Sequence, residues 1–144
     1  MDLAPQSPEA RNNLANVLKE VGEFDAAEVE YKHAISLNLD YANAYQNLGS
    51  LLIEMGRAID GIEALRSALS LKPDHEQAFV NLAAGLNQTE RLIEGAAAAR
   101  RAIEINLDIP DAYNNLGIAL RAFGDYIGAE TPYRRVIELN PAHA

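Results

Sequence analysis

Apolar residues recur along the chain in two alternating helical registers. Leu14, Leu48, Leu82 and Leu116 each follow an Asn and precede an Ala or Gly, at a constant spacing of 34 residues. Counted from Pro8, Ala42, Glu76 and Pro110, the other apolar positions fall into step. Position 3 is Ala10, Ala44, Ala78 and Ala112; position 11 is Leu18, Leu52, Leu86 and Leu120; position 27 is Ala34, Ala68, Ala102 and Val136. Apolar residues at positions 4, 7, 8 and 11 have the i, i+3, i+4, i+7 spacing of an amphipathic helix. Those at 17, 20, 24, 27, 28 and 30 predict a second helix. Position 8 (Ala15, Gly49, Ala83, Gly117) and position 20 (Ala27, Gly61, Gly95, Ala129) are uniformly small, so the two helices of a pair approach closely there.

Punctuation agrees with this division. Gly22, Gly56 and Gly124 at position 15 supply the left-handed residue that ends the first helix. Glu90 holds that place in the third repeat, which predicts a strained or differently capped turn. Pro73 and Pro141 at position 32 close the second helix, with Leu39 and Leu107 in the other two repeats. Pro132 lies inside the last helix and predicts a bend or a late start between Gly128 and Pro132. A helix pair cannot bury both apolar faces alone, whereas four stacked pairs share a continuous core.

These residues carry a resemblance to the tetratricopeptide repeat family. The aromatic at position 4 is matched by Tyr45, Phe79 and Tyr113 and missed at Arg11. Tyr31 and Tyr133 match position 24, where Leu65 and Ala99 are aliphatic, and Phe24 and Tyr126 fit position 17. The resemblance covers residues 8 to 143. It implies an all-α fold, a right-handed α-solenoid of four tandem helix-turn-helix repeats with about eight helices, the first helix of each pair on the concave side. The repeats span 8–41, 42–75, 76–109 and 110–144. Residues 1–7 read as an N-terminal arm or the tail of a preceding repeat, because Leu3 and Pro5 sit at positions 30 and 32 of such a unit. Two expectations follow for the ends: excision from a longer array, or stacking on other copies.

Asn13, Asn47, Asn81 and Asn115 occupy position 6 in every repeat. Asn is a mediocre residue for a helix interior, so four in register need a reason. One reason is a row of amides that pair with the main chain of an extended peptide through a donor and an acceptor each. The arrays of O-linked N-acetylglucosamine transferases, which this one resembles, have such a ladder. The other is a structural tie between helices. Asn16, Asn43, Ser50 and Gln77 share the helical face and complete the expected peptide-binding set, with Lys19 and Arg121 near its rim. No Lys or Arg stands at positions 2, 5 or 6, so the carboxylate clamp of the family's chaperone-tail binders is not expected.

Composition narrows the partner. Asp and Glu number 21 against 12 Lys and Arg, a net charge of −9, which argues against nucleic acid and anionic membranes. A polar, extended segment of another protein is the favoured ligand; the seven acids and three bases of the first repeat would orient a basic one, or form no more than a solvated face. Cysteine is absent, removing disulfide and thiolate chemistry. His33, His75 and His143 are far apart and expected on outer faces or in loops, so no metal or other cofactor is expected. No catalytic constellation or phosphate loop is found. The expected function is a non-catalytic protein-interaction scaffold. Two alternatives are a self-assembly module, which makes a homo-oligomer through end-to-end or face-to-face stacking of the solenoid, and the substrate-recruiting arm of an enzyme such as a glycosyltransferase. Without a secretory signal the default location is the cytoplasm, with an exported form left open.

Overall fold

Eight α-helices stand where the two registers place them. They are α1 (Pro8–Glu20), α2 (Phe24–Leu37), α3 (Ala42–Glu54), α4 (Ala58–Leu71), α5 (Glu76–Gln88), α6 (Leu92–Ile105), α7 (Pro110–Phe123) and α8 (Tyr126–Leu139). The structure is a computed structural model and describes residues 7–141. Leu3, Pro5 and His143 lie outside that range. Among the described residues there is no strand, and no helix is long and apolar enough to cross a membrane.

The chain divides into two compact units, residues 1–73 and 74–144. In the first, α1 packs on α2, α3 on α4, and α3 also against α2 and α1. In the second, α5 packs on α6, α7 on α8, and α7 against α6 and α5. The core of the first unit gathers Ala15, Ala27, Tyr31, Leu48, Leu51, Leu52 and Ala64, with Leu18, Phe24, Ile35 and Met55 partly buried around it. In the second, Val80, Ala102 and Ala112 pack with Phe79, Ile103 and Ile109. Small residues at positions 8 and 20 are buried in all four repeats. The position-7 leucines differ: Leu48, Leu82 and Leu116 are at most 9% exposed and Leu14 is 44% exposed.

All four first helices end by the same two backbone bonds. Gly22, Gly56, Glu90 and Gly124 have φ of 86°, 82°, 61° and 99°. Each donates its N–H to the carbonyl three residues back, at 3.0–3.1 Å, and the next residue donates to the carbonyl five back, at 2.8–2.9 Å. This is the Schellman closure, which satisfies carbonyls the helix would leave orphaned. Glu90 therefore makes the same turn as the glycines, but with a Cβ in the left-handed region. Relief of that strain, worth about 1–2 kcal/mol, exceeds the extra unfolded-chain entropy of glycine, about 0.4–1 kcal/mol. Glu90→Gly is expected to stabilise the protein by roughly 0.5–1 kcal/mol, read as a higher urea midpoint with unchanged slope. A lower midpoint would show that Glu90 holds the turn by other means.

The repeats without proline at position 32 turn by another route. Asn38 Oδ1 accepts from Asp40 N at 3.1 Å, and Asn106 Oδ1 from Asp108 N at 2.9 Å. These side-chain turns replace the proline stop. Pro132 is buried inside α8, which begins at Tyr126 rather than late. Asp125 explains the early start: its carboxylate accepts from Gly128 N at 2.7 Å and its carbonyl from Ala129 N at 3.1 Å. The capped first turn is complete before the proline removes one bond.

His75 lies in the loop before α5, as expected, but it is buried there. It is 8% exposed and caps α5, its Nδ1 accepting from Ala78 N at 3.4 Å. A ring nitrogen here does the work of a Ser or Asp cap. Arg101 and Arg134 pair within their own helices, with Glu104 and Glu130. Arg135 reaches both Glu138 at 3.1 Å and Asp108 at 3.3 Å.

Candidate functional site

The position-6 asparagines lie on the first helix of each pair, one turn after the helix start. Asn13 is exposed, and Asn47, Asn81 and Asn115 are half-buried. Two of them repeat one construction in separate units. Asn47 Nδ2 donates across from α3 to Asn12 Oδ1 on α1, at 3.1 Å. Asn115 Nδ2 donates from α7 to the Val80 carbonyl on α5, at 3.0 Å. In each case the amide nitrogen meets position 5 of the preceding repeat. Asn13 and Asn81 make no such tie; Asn81 Oδ1 accepts a long 3.4 Å bond from Gln77 Nε2 on its own helix.

The neighbours on this face are also partly engaged. Asn16 Oδ1 accepts from the buried Tyr31 hydroxyl at 2.6 Å. Ser50 Oγ accepts from Lys19 Nζ at 3.2 Å, and the same ammonium lies 3.0 Å from Glu54. Asn43 and Gln77 are exposed. Thus Asn16, Ser50 and Asn47 meet around α1 and α3, while Asn81 and Asn115 belong to the second unit. In the first unit Asn16 and Asn47 border a recess of about 450 Å³, lined also by Lys19, Glu20, Phe24 and Glu54.

Hydrogen bonding fixes what each amide shows to the solvent. With Nδ2 tied back, Asn47 and Asn115 keep their carbonyl oxygens for an incoming donor. Asn16, whose oxygen is taken by Tyr31, keeps its NH₂. Electrostatics around the recess is negative. Burial, and then the carboxylates of Glu54 and Glu20, push the Tyr31 hydroxyl up to about 12. On α2, hydrogen bonds from Lys32 at 2.7 Å and Arg57 at 2.8 Å hold Glu28 below the usual carboxylate range, against the opposing effect of burial.

Two residues of this face were not singled out by the sequence. Asn12 is 5% exposed and receives the Asn47 bond. Asn87 Nδ2 donates to the Asn115 carbonyl at 3.0 Å, so α5 and α7 exchange two side-chain bonds. Asn87 Oδ1 is buried without a hydrogen-bond partner, against Gly95, where a Cβ would collide with it. Position 5 varies between repeats (Asn12, Gln46, Val80, Asn114) and position 12 likewise (Lys19, Ile53, Asn87, Arg121), so neither shows a ladder.

The all-helical pairs, the shared Schellman turns and the buried small positions define a helical-repeat scaffold. Family models described as tetratricopeptide repeat match residues 8–41, 42–75 and 111–140. The chain belongs to the tetratricopeptide repeat family, whose arrays are protein-interaction scaffolds. The segment between the second and third matches forms the same kind of helix pair. The chain is similar in fold to the crystal structure of MamA (TM-score 0.85, 22% identity, covering 96% of this chain and 81% of that one). It is similar to residues 41 to the end of MamA from Desulfovibrio magneticus RS-1 (0.84, 18%, 95% and 77%). It is also similar to PilF of Pseudomonas aeruginosa (0.85, 22%, 94% and 62%). No curated protein matches the sequence.

Proposed function

We propose that this protein is a non-catalytic scaffold that holds an extended segment of another protein along its asparagine-bearing helices. The observation that carries the reading is the paired construction of Asn47 and Asn115. Each is anchored through Nδ2 to the preceding repeat, at 3.1 and 3.0 Å, which leaves its carbonyl oxygen available as an acceptor. Asn16, bonded through its oxygen, keeps a donor by the opposite arrangement. An extended main chain offers both N–H and C=O, so fixed acceptors and donors pair with it whatever its side chains. Anchoring in advance also lowers the ordering cost of binding. The amides therefore serve as ties and as ligand groups at once, and the two explanations of the ladder are compatible.

Asn13 and Asn81 separate the roles, because neither ties two helices. Peptides selected on a randomised 12-residue array are to be titrated by fluorescence anisotropy against wild type and an Asn13→Ala/Asn81→Ala variant. Each lost main-chain bond is expected to weaken binding by about fivefold, with stability within about 0.5 kcal/mol of wild type. Asn47→Ala is expected to cost stability as well, about 1–3 kcal/mol, since it strands the buried Asn12 oxygen. Equal affinity of the double variant, or an array that captures nothing above background, would rule the reading out. A self-assembly reading would draw instead on the second unit, where Ile93, Phe123, Tyr126 and Ile127 are exposed and Ile93 and Phe123 line a recess.

A further inference from the structure

We infer that the recess between α1, the start of α2 and α3 is a subsite for one arginine side chain of the bound segment. This rests on the scaffold reading above and makes it specific. The recess measures about 450 Å³, which leaves room for a guanidinium and its stem, and opens on the asparagine face through Asn16 and Asn47. Its hydrogen-bonding groups are mostly acceptors. Glu20 and Glu54 are carboxylates, and Asn47 turns its carbonyl oxygen away from the Asn12 tie. The donors are the Asn16 NH₂ and the Lys19 ammonium, the latter already engaged.

Charge is unbalanced in the same direction. Lys19 is the one cation of the lining, and it is already shared between Glu54 at 3.0 Å and Ser50 Oγ at 3.2 Å. Glu20 has no ion-pair partner among the described residues, so the lining holds two carboxylates against one ammonium. Glu20 and Glu54 stand one at each side of the recess, on α1 and α3, so both carboxylates border the same space. Phe24, half-buried, supplies a ring to the wall. A planar cation with five donors fits two carboxylates, an amide oxygen and a ring better than a compact ammonium does. The recess would give the sequence-tolerant ladder a register, because one basic side chain must reach one place.

Single blocked residues test the recess without the ladder. The full chain, labelled with ¹⁵N, is to be titrated at low salt with N-acetyl-arginine methylamide and with its citrulline counterpart, which has nearly the same shape and no charge. The side-chain amide signals of Asn16 and Asn47 report occupancy. Arginine is expected to shift both signals saturably and to bind at least about fivefold more tightly than citrulline, with the difference shrinking in 0.5 M salt. In a Glu20→Gln/Glu54→Gln variant the two probes should become equal, while thermal unfolding stays as in wild type. Equal responses to both probes in wild type, or an arginine preference that survives in the variant, would overturn the assignment. These probes carry almost no extended main chain. A negative result here therefore leaves the ladder reading standing, and failure of the Asn13/Asn81 experiment leaves this one interpretable.

Discussion

Gly61→Ala should destabilise the first unit by about 1–3 kcal/mol, although alanine is the better helix former. In an uncrowded helix that exchange would gain roughly 0.8–1 kcal/mol. The sign reverses here because α3 and α4 touch through their backbones. A Cβ on Gly61 would lie 2.8 Å from the Gly49 carbonyl and 2.7 Å from Ile53 Cγ1. A Cβ on Gly49 would lie 2.9 Å from the Gly61 carbonyl and 2.6 Å from Leu65 Cγ. A side-chain tip could move aside, but the carbonyls belong to the two helices, so the helices themselves must separate. Leu65 is fully buried and would lose packing on both sides. The double variant should cost less than the sum of the singles, since the first methyl already opens the gap that the second needs. Urea denaturation of the two singles and the double checks this. A Gly61→Ala protein more stable than wild type would mean that the helices are not in backbone contact.

The same positions show how much of the structure was legible in the sequence. Small residues at 8 and 20 announced close helix approach, and the 34-residue phase gave two helices to each repeat, as the eight helices show. Periodicity is strong because every repeat reports the same packing. It could not say which partner of a close approach is the tight one. In the second repeat glycine faces glycine, whereas in the fourth the ring of Tyr133 covers Gly117 and takes the space a Cβ would fill. Turn chemistry was legible at the glycines, and Glu90 was recognisable as an exception, though not that it would adopt the glycine conformation. The Asn38 and Asn106 turns were not legible, because a side-chain bond two residues on leaves no mark in the repeat pattern as a proline does.

The candidate site was legible in type and not in role. Identical asparagines at one position of every repeat mark the same place on each first helix, and that is all a ladder in sequence can mark. Whether an amide ties helices or faces outward depends on its neighbour across the repeat boundary. That neighbour is Asn12 in one unit and a main-chain carbonyl, that of Val80, in the other. A backbone acceptor leaves no trace in residue type, and Asn12 belongs to a position that varies. The recess was equally hidden: Glu20 and Glu54 share position 13, but Phe24 enters from the following helix.

Tyr31 should bring the largest loss of stability from one substitution. Its side chain is 1% exposed and sits at the centre of the first unit's core, against residues of α1 and α3 as well as its own helix pair. Tyr31→Ala removes a ring from a packed site and is expected to cost about 3–5 kcal/mol. Tyr31→Phe keeps the ring and loses only the 2.6 Å bond to Asn16, whose amide water can reach, so about 0.5–1.5 kcal/mol is expected. The hydroxyl also makes stability depend on alkaline pH. Its value is about 12 in the folded protein, raised first by burial and then by Glu54 and Glu20, against an ordinary value of 10.0. The raised value means the fold favours the neutral phenol. The stability linked to it is complete below pH 10 and drains away as pH rises through 12. The total is about 2–3 kcal/mol. Tyr31→Phe has no such proton to lose, so its stability curve should cross that of wild type between pH 10 and 12. Urea midpoints at pH 8, 10 and 11.5 for the two proteins decide the matter: parallel curves would mean that the Tyr31 hydroxyl ionises as readily folded as unfolded.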